Sequence, residues 1–297
     1  MRFSVIIPLY YGAKHIERTL DSVLAQTFKD FEIILVNDGS PDNVGEVVKK
    51  YISAHPGVNF KYIEQENKGL GGARNTGIRN SSGQIICLLD QDDLWYAKKL
   101  EVVDKAFCED KAADLVSHAI RIVSGSCLEV FRTGPAFEDM KRALIFRGNL
   151  LRTPSVSFKK EMIDKAGLFT EDREKLHLVE DYELWLRMAF AGAKFVFLDD
   201  VLAEYSCHQA NFSSADVFSL RTMIRGEKAV VEMYYKKLPT KTLSDWYNIR
   251  RRVGKIFYSA CKKAFTVYKD KWTAGGYLFR AFLLYPLYFA EYLGKKK

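Results

Sequence analysis

The chain lacks paired cysteines, long apolar runs and the glycine spacing of a dinucleotide loop, and each absence removes a class of protein. Its five cysteines (Cys87, Cys108, Cys127, Cys207 and Cys261) are odd in number and form no C-x-x-C pair. That argues against a disulfide framework or a zinc site and for a reducing cytoplasm. Met1-Arg2 leads straight into the strand-like Phe3-Ser4-Val5-Ile6-Ile7, which is not the pattern of a secretory signal. The uncharged run Ala281–Ala290 is ten residues long, whereas a bilayer span needs about 20. Within Asn67–Gly77 the G-x-G-x-x-G spacing breaks at Arg74, and the loop follows the third expected strand instead of the first. A hydride-transferring oxidoreductase loses its fingerprint on both counts.

What the chain does have is acid at a strand end. Gln84-Ile85-Ile86-Cys87-Leu88-Leu89 reads as a strand buried on both faces, and Asp90-Gln91-Asp92-Asp93 follows it with three carboxylates. The C-terminal edge of an open parallel sheet is where ligands bind. Clustered carboxylates repel one another unless a cation lies among them, and hard oxygen donors suit Mg²⁺ or Mn²⁺. Taken alone, an acidic turn capping the next helix explains the same residues. Charge is also unevenly divided. The net +8 splits into +13 over residues 217–297, with 18 Lys and Arg against 5 Asp and Glu, and −5 over residues 1–216. The basic segment also carries 17 of the 40 aromatic residues. Two segments facing two kinds of partner follow from this division.

Strand and helix alternate over the first ninety residues. Strands are predicted at Phe3–Leu9, Phe31–Val36, Asn59–Glu64 and Gln84–Leu89, and helices at Ala13–Gln26, from Val44 to Tyr51 and within Gly69–Arg79. Such alternation implies parallel pairing and a Rossmann-like α/β half. Further on, the pattern predicts a helix over Tyr96–Phe107, a strand over Ala113–Val123 and an irregular stretch 124–153 with a short helix at Phe137–Arg147. A helix at Lys160–Ala166 ending at Gly167, one at Glu183–Ala191 and strands near Lys194–Leu198 and Val201–Tyr205 complete this part. From Val217 onward the sequence reads as helices.

Individual residues fit a charged ligand. Asp38 closes the second strand as Asp90 closes a later one, and a carboxylate accepts from base N–H groups or ribose hydroxyls. Arg74, after the glycine-rich loop, can reach an anion. Glu180-Asp181 stands just before a helix, where an aspartate is either an N-cap or a general base held on a rigid helix start. His208 follows the last strand and is a candidate third metal contact.

Five motifs occur in order: Val5-Ile6-Ile7-Pro8-Leu9-Tyr10, Val36-Asn37-Asp38-Gly39-Ser40, Asn67-Lys68-Gly69 with Ala73-Arg74-Asn75, Leu89-Asp90-Gln91-Asp92-Asp93, and Glu180-Asp181-Tyr182-Glu183-Leu184. In order and spacing they resemble glycosyltransferase family 2, inverting enzymes with a GT-A fold, over residues 3–213. The resemblance implies a GT-A domain at 1–213: a mostly parallel sheet flanked by helices, with a nucleotide-binding half at 1–110 and an acceptor half at 111–213. The basic, aromatic helical region 217–297 lies outside it. Carried over residue by residue, Pro8, Tyr10, Asp38, Lys68, Arg74 and Asp90 line the nucleotide and donor pocket. Asp92 holds the metal at the diphosphate, His208 approaches the metal or diphosphate, and Asp181 is the catalytic base. Three positions depart from the family's pattern. Asn37 replaces a common aspartate, Tyr11 a usual asparagine, and Ser206 the arginine of Tyr-Arg-x-His.

The implied reaction moves a sugar from a nucleotide-sugar, a UDP-sugar by family frequency, to an acceptor hydroxyl. The implied acceptor is a lipid-linked saccharide in cell-surface polysaccharide or glycan synthesis. A nucleotidyltransferase would want a basic phosphate loop near the first strand, where Tyr11-Gly12-Ala13-Lys14 offers one lysine. A non-catalytic binding module has no need of both a metal pair and a base. For residues 217–297 the expected partner is an anionic membrane surface on the inner face of the cell membrane. Internal helix packing or a homo-oligomer contact is the alternative. Nucleic acid ranks lower, because the apolar run at 281–290 has no use there.

Overall fold

Apolar runs that lack any polar alternation become the centre of the sheet. Strands β1 (Phe3–Leu9), β2 (Phe31–Asp38) and β4 (Ile85–Leu88) are buried almost throughout, and β3 (Phe60–Gln65) is a half-exposed edge. The computed structural model describes residues 1–125, 127–172, 176, 178–206 and 217–286. On one face, Val5, Ile7, Ile33 and Leu35 pack with helices α1 (Ile16–Leu24), α2 (Val44–Ala54) and α4 (Lys99–Glu109). On the other, Ile34 and Val36 pack with Ala73 of α3 (Gly69–Arg79). Helix α3 lies close on β1 because position 77 is glycine: a Cβ there would stand 2.4 Å from Ile6 Cγ2.

Strand order is β3-β2-β1-β4-β8-β6-β9-β5, with β7 paired to β6. β1 to β4 pair in parallel, as the alternation predicts. Beyond them β8 (Val156–Lys159) runs antiparallel to both β4 and β6 (Leu115–Ser124). β9 (Phe195–Ser206) is parallel to β6, and β5 (Leu94–Trp95) and β7 (Cys127–Phe131) add antiparallel edges. The sheet and its helices have the mixed α/β architecture of the GT-A fold.

Several elements differ from the sequence pattern. β5 and β8 are new strands where none was predicted, and β7 occupies part of the expected irregular stretch. The two strands predicted around 194–205 are one strand, with a register irregularity opposite His118 and Ala119 that absorbs Asp199-Asp200. Helix α7 begins at Glu180, so Asp181 sits in its first turn instead of ahead of it. Helices α5 (Met140–Arg147) and α6 (Met162–Ala166) are shorter than expected, and Gly167 ends α6 at φ +77°.

Contacts divide the chain into two compact units. One comprises 1–140, 150–171 and 187–208 and holds the whole sheet. The other combines 141–149, 172–186 and 209–297, so it draws in two stretches from before the change in charge. Its long helices are α8 (Val217–Lys237), α9 (Leu243–Thr266) and α10 (Lys271–Leu284). α9 starts with a capping box: Thr242 Oγ1 accepts from Asp245 N–H, and the Asp245 carboxylate accepts from Thr242 N–H. Arg142 donates to both Asp245 oxygens at 3.2 Å. Among the described residues, no helix is long and apolar enough to cross a membrane.

Candidate active site

The order β3-β2-β1-β4 reverses direction at β1, which makes the gap between the C-terminal ends of β1 and β4 the topological switch point. Their paired register stops at Ile6 and Leu88, and the Leu89 N–H makes the last bond, to the Ile6 carbonyl at 3.1 Å. Pro8, which has no N–H to offer, lies just past that point and stays paired in register with Val36 of β2.

The two loops that leave this gap are tied together by Gln91. Its Oε1 accepts from the Tyr10 N–H at 2.9 Å and its Nε2 donates to the Tyr10 carbonyl at 2.6 Å. Gly12 makes room for it, since a Cβ there would stand 1.9 Å from Gln91 Oε1. Thr19 of α1 donates to the carbonyls of Gln91 and Asp93, fixing the acidic turn from behind. Tyr10 and Tyr11 are exposed and meet edge to face at 4.9 Å. Tyr11 adopts φ +55°, and its N–H donates to Ser40 Oγ at 2.8 Å.

Asp38 is buried and holds the start of α3. One oxygen accepts from Gln65 Nε2 and the Lys68 N–H, and the other from the Gly69 N–H, all within 2.8 Å. A carboxylate at a helix N-terminus is favoured by the exposed N–H groups there. Arg74, 2% exposed, pairs with Asp90 at 2.7 Å and lies over the Phe169 ring. Sequence reasoning gave Arg74 an anion to reach; the structure supplies a carboxylate of the same site. Lys68 is exposed at the helix start.

The three acids of the turn are not equivalent. Asp90 and Asp92 are partly exposed, whereas Asp93 folds back and is fully buried. Its N–H donates to the Asp90 carbonyl, and its Oδ1 accepts from the Ser206 N–H at 3.0 Å. Asp93 thereby fastens the end of β9 to the acidic turn. Burial pushes its carboxyl well above the usual range, and the charges of Asp90 and Asp92 push it further; the Ser206 bond and Arg74 oppose the shift. The partly exposed Asp90 and Asp92 offer only hard oxygen donors, which fit a divalent cation in chemistry. Among the described residues, no three His, Cys, Asp or Glu side chains gather as a ligand set.

Pro8, Tyr10, Asp38, Lys68, Arg74, Asp90 and Asp92 all belong to the sheet unit; Arg74 stands on α3 and the others at or just past the C-terminal strand ends. Asp181 belongs to the other unit, where Asn149 Nδ2 lies 3.4 Å from its Oδ2. His208 lies outside the described residues. Gln91 and Asp93 are the residues that sequence reasoning missed. Nothing in a run of acids tells which one turns inward, nor that the amide between them bonds a backbone 81 residues away.

The family model for glycosyl transferase family 2 matches residues 4–160. The amylovoran biosynthesis glycosyltransferase AmsB of Erwinia amylovora is 32% identical over 213 residues, 68% of this chain and 69% of AmsB. This chain belongs to glycosyl transferase family 2 and is a glycosyltransferase. Some relatives are longer, and the chain spans 64% of one and 34% of another. Among solved structures, S. aureus TarS 1–349 in complex with UDP-GlcNAc aligns at TM-score 0.72 and 19% identity, over 95% of this chain and 79% of that one. The mannosyltransferase PcManGT from Pyrobaculum calidifontis, in complex with GDP-Man and Mn²⁺, aligns at TM-score 0.59 and 19% identity, over 94% and 85%. These two likenesses are of fold.

Proposed function

We propose that the chain is a metal-dependent, inverting transferase that moves a sugar from a nucleotide-sugar, UDP-linked by preference, to the hydroxyl of a lipid-linked saccharide. The observation that carries this reading is the strand-end constellation at the β1/β4 switch point: Asp38 at the start of α3, the Arg74–Asp90 pair and the partly exposed Asp92 on one sheet edge. A nucleotide diphosphate has two polar poles, and this edge offers carboxylates for base and ribose at one and a cation site at the other. Residues 1–110 are assigned to the donor and 111–213 to the acceptor. The AmsB relative supports polysaccharide synthesis as the setting, and a membrane-borne acceptor suits the basic region 217–297. The UDP-GlcNAc of TarS supports the donor class.

Sugar–phosphate cleavage passes through an oxocarbenium-like centre. Asp92, with His208 as a further contact, would hold a Mg²⁺ or Mn²⁺ ion, which would supply charge neutralisation for the departing diphosphate. Pro8, Tyr10, Asp38 and Lys68 orient the donor, and Arg74 holds Asp90 in place. Asp181 takes the proton of the attacking hydroxyl, and a single displacement turns an α-linked donor into a β-linked product.

Turnover of a nucleotide-sugar panel with a lipid-linked acceptor tests this reading. Wild type is expected to lose activity with EDTA and recover it with Mn²⁺. Asp181→Asn is expected to bind donor normally and lose turnover by about 10² or more, with Glu180→Gln milder. Full activity in EDTA defeats the metal assignment, and a larger effect at Glu180 defeats the base.

A further inference from the structure

Helix α10 is apolar on both sides. Ala274, Tyr277 and Ala281 form the buried side, packed on α9. At 100° per residue, Trp272, Phe279 and Leu283 fall together on the opposite side, flanked by Leu278 and Phe282. All five are exposed, Trp272 to 93% and Phe279 to 63%. Small residues dictate this orientation. A Cβ at Gly254 of α9 would stand 3.0 Å from Tyr285 Cβ, so the helices meet where there is no bulk. The neighbouring turn adds exposed Phe265 and Val267, and the start of α9 adds Leu243 and Trp246. Isolated exposed apolar side chains are ordinary on a protein surface, but a contiguous face of them marks an interaction surface.

Positive charge frames this face. Lys269 and Lys271 line a cleft of about 230 Å³ with Phe265 and Thr266, and Lys271 is the neighbour of Trp272 in the chain. Arg280 lies over the Phe257 ring, and Arg250 lies over Trp246 and donates to the Leu283 carbonyl. We propose that the outer face of α10, with the α9–α10 turn, docks flat on an anionic phospholipid bilayer. The aromatic and aliphatic side chains enter the interface, and the lysines and arginines meet lipid phosphates. Charge selects this occupant over a second copy of the chain. A self-complementary contact would set one +13 region against another, whereas an anionic bilayer neutralises it. At 14 residues the helix is about 21 Å long, below the hydrocarbon thickness, so it lies on the bilayer instead of crossing it. The sequence-based expectation covered 217–297 with its apolar run at 281–290; residues 287–297 lie outside the described part, and the face described here begins earlier, at Trp272.

The test uses the full chain with no substrate present, so its failure leaves the transfer reading untouched. Co-sedimentation is measured with vesicles of phosphatidylcholine alone and of equimolar phosphatidylglycerol and phosphatidylcholine. Binding is expected to the mixed vesicles only, and to weaken with salt. Tryptophan emission is expected to shift to the blue on binding, a shift that Trp272→Phe reduces while binding persists. Phe279→Ser with Leu283→Ser, or Lys269→Glu with Lys271→Glu, is expected to weaken binding about tenfold or more with an unchanged circular dichroism spectrum. A chain that stays in the supernatant at low salt overturns the proposal, as does equal binding to both vesicle types. A stable dimer that Phe279→Ser dissociates, without vesicle binding, assigns the face to a second copy instead.

Discussion

The sheet unit and the helical unit both bury charged groups, but they treat their apolar side chains differently. In the first, Val5, Ile7, Ile33, Leu35 and their neighbours are fully buried, and partly exposed carboxylates collect at one sheet edge. In the second, as at Arg74 and Asp93 of the first, some charges go inward: Arg252 pairs with Glu227, Tyr234 donates to Glu183, and Gly148 makes room for the Arg252 guanidinium. Trp272, Phe279 and Leu283 meanwhile stay outside. A domain that hides its apolar residues and keeps Asp90 and Asp92 partly exposed at one sheet edge is ready for a small charged ligand. A helix that hides alanines and shows aromatics is incomplete without a large apolar partner.

The comparison breaks most sharply at Asp92. Asp92→Ala is expected to lower turnover by about 10³-fold or more, on the scale of a lost Lewis acid, while the thermal midpoint stays near wild type because the side chain is partly exposed. Steady-state rates beside a melting curve check both halves. A smaller effect, read on stability, is expected at the pair of buried Arg74 and partly exposed Asp90 on the same edge. Arg74→Met leaves Asp90 without its guanidinium and should cost about 2–3 kcal/mol in urea unfolding. Adding Asp90→Asn to that variant should recover part of the loss.

The smallest effect is a pH dependence that belongs to the sheet unit alone. His118 is fully buried; its Nδ1–H donates to the Ala119 carbonyl, and its Nε2 has no hydrogen-bond partner among the described residues. Burial first, and the nearby Lys99 charge second, hold its pKa down at about 3, against 6.5 for an ordinary histidine. The neutral ring's contribution to stability is therefore complete above pH 6.5 and is lost as pH falls towards 3, where the unfolded chain binds the extra proton. Over one pH unit within that window the loss is at most about 1.4 kcal/mol. Urea titrations at pH 6 and 5 should show a shallower decline for His118→Gln than for wild type.

Much of the parallel half was legible because the sequence and the fold obey one rule there. β1, β2 and β4 are apolar on both faces, and Gly39 and Gly167 sit at the left-handed turns that end their elements. β8 was not legible because its Ser157 serves a polar interior instead of an apolar one. That hydroxyl accepts from Lys99 Nζ at 3.3 Å and faces Cys87 Sγ at 3.2 Å, so the strand does not read as a core strand. β5 is two residues long and has no pattern to read. The site was legible as a set of positions but not as a set of bonds. The Asp38 contacts to Lys68 and Gly69 and the Arg74–Asp90 pair join residues 16 to 31 apart, fixed by the crossover of α3 and not by any local preference.

Gln91 acts as a borrowed peptide unit. By accepting from one Tyr10 backbone group and donating to the other, its amide continues the β1 ladder after β4 has turned away. Few side chains can stand in for a peptide: an amide both donates and accepts, a carboxylate only accepts, and asparagine is one methylene too short for the same span. Gln91 is the middle position of the Asp-x-Asp motif formed with Asp90 and Asp92. In this chain it is chemically narrow, and its tolerance to substitution is coupled to Gly12, whose missing side chain is the space the amide occupies.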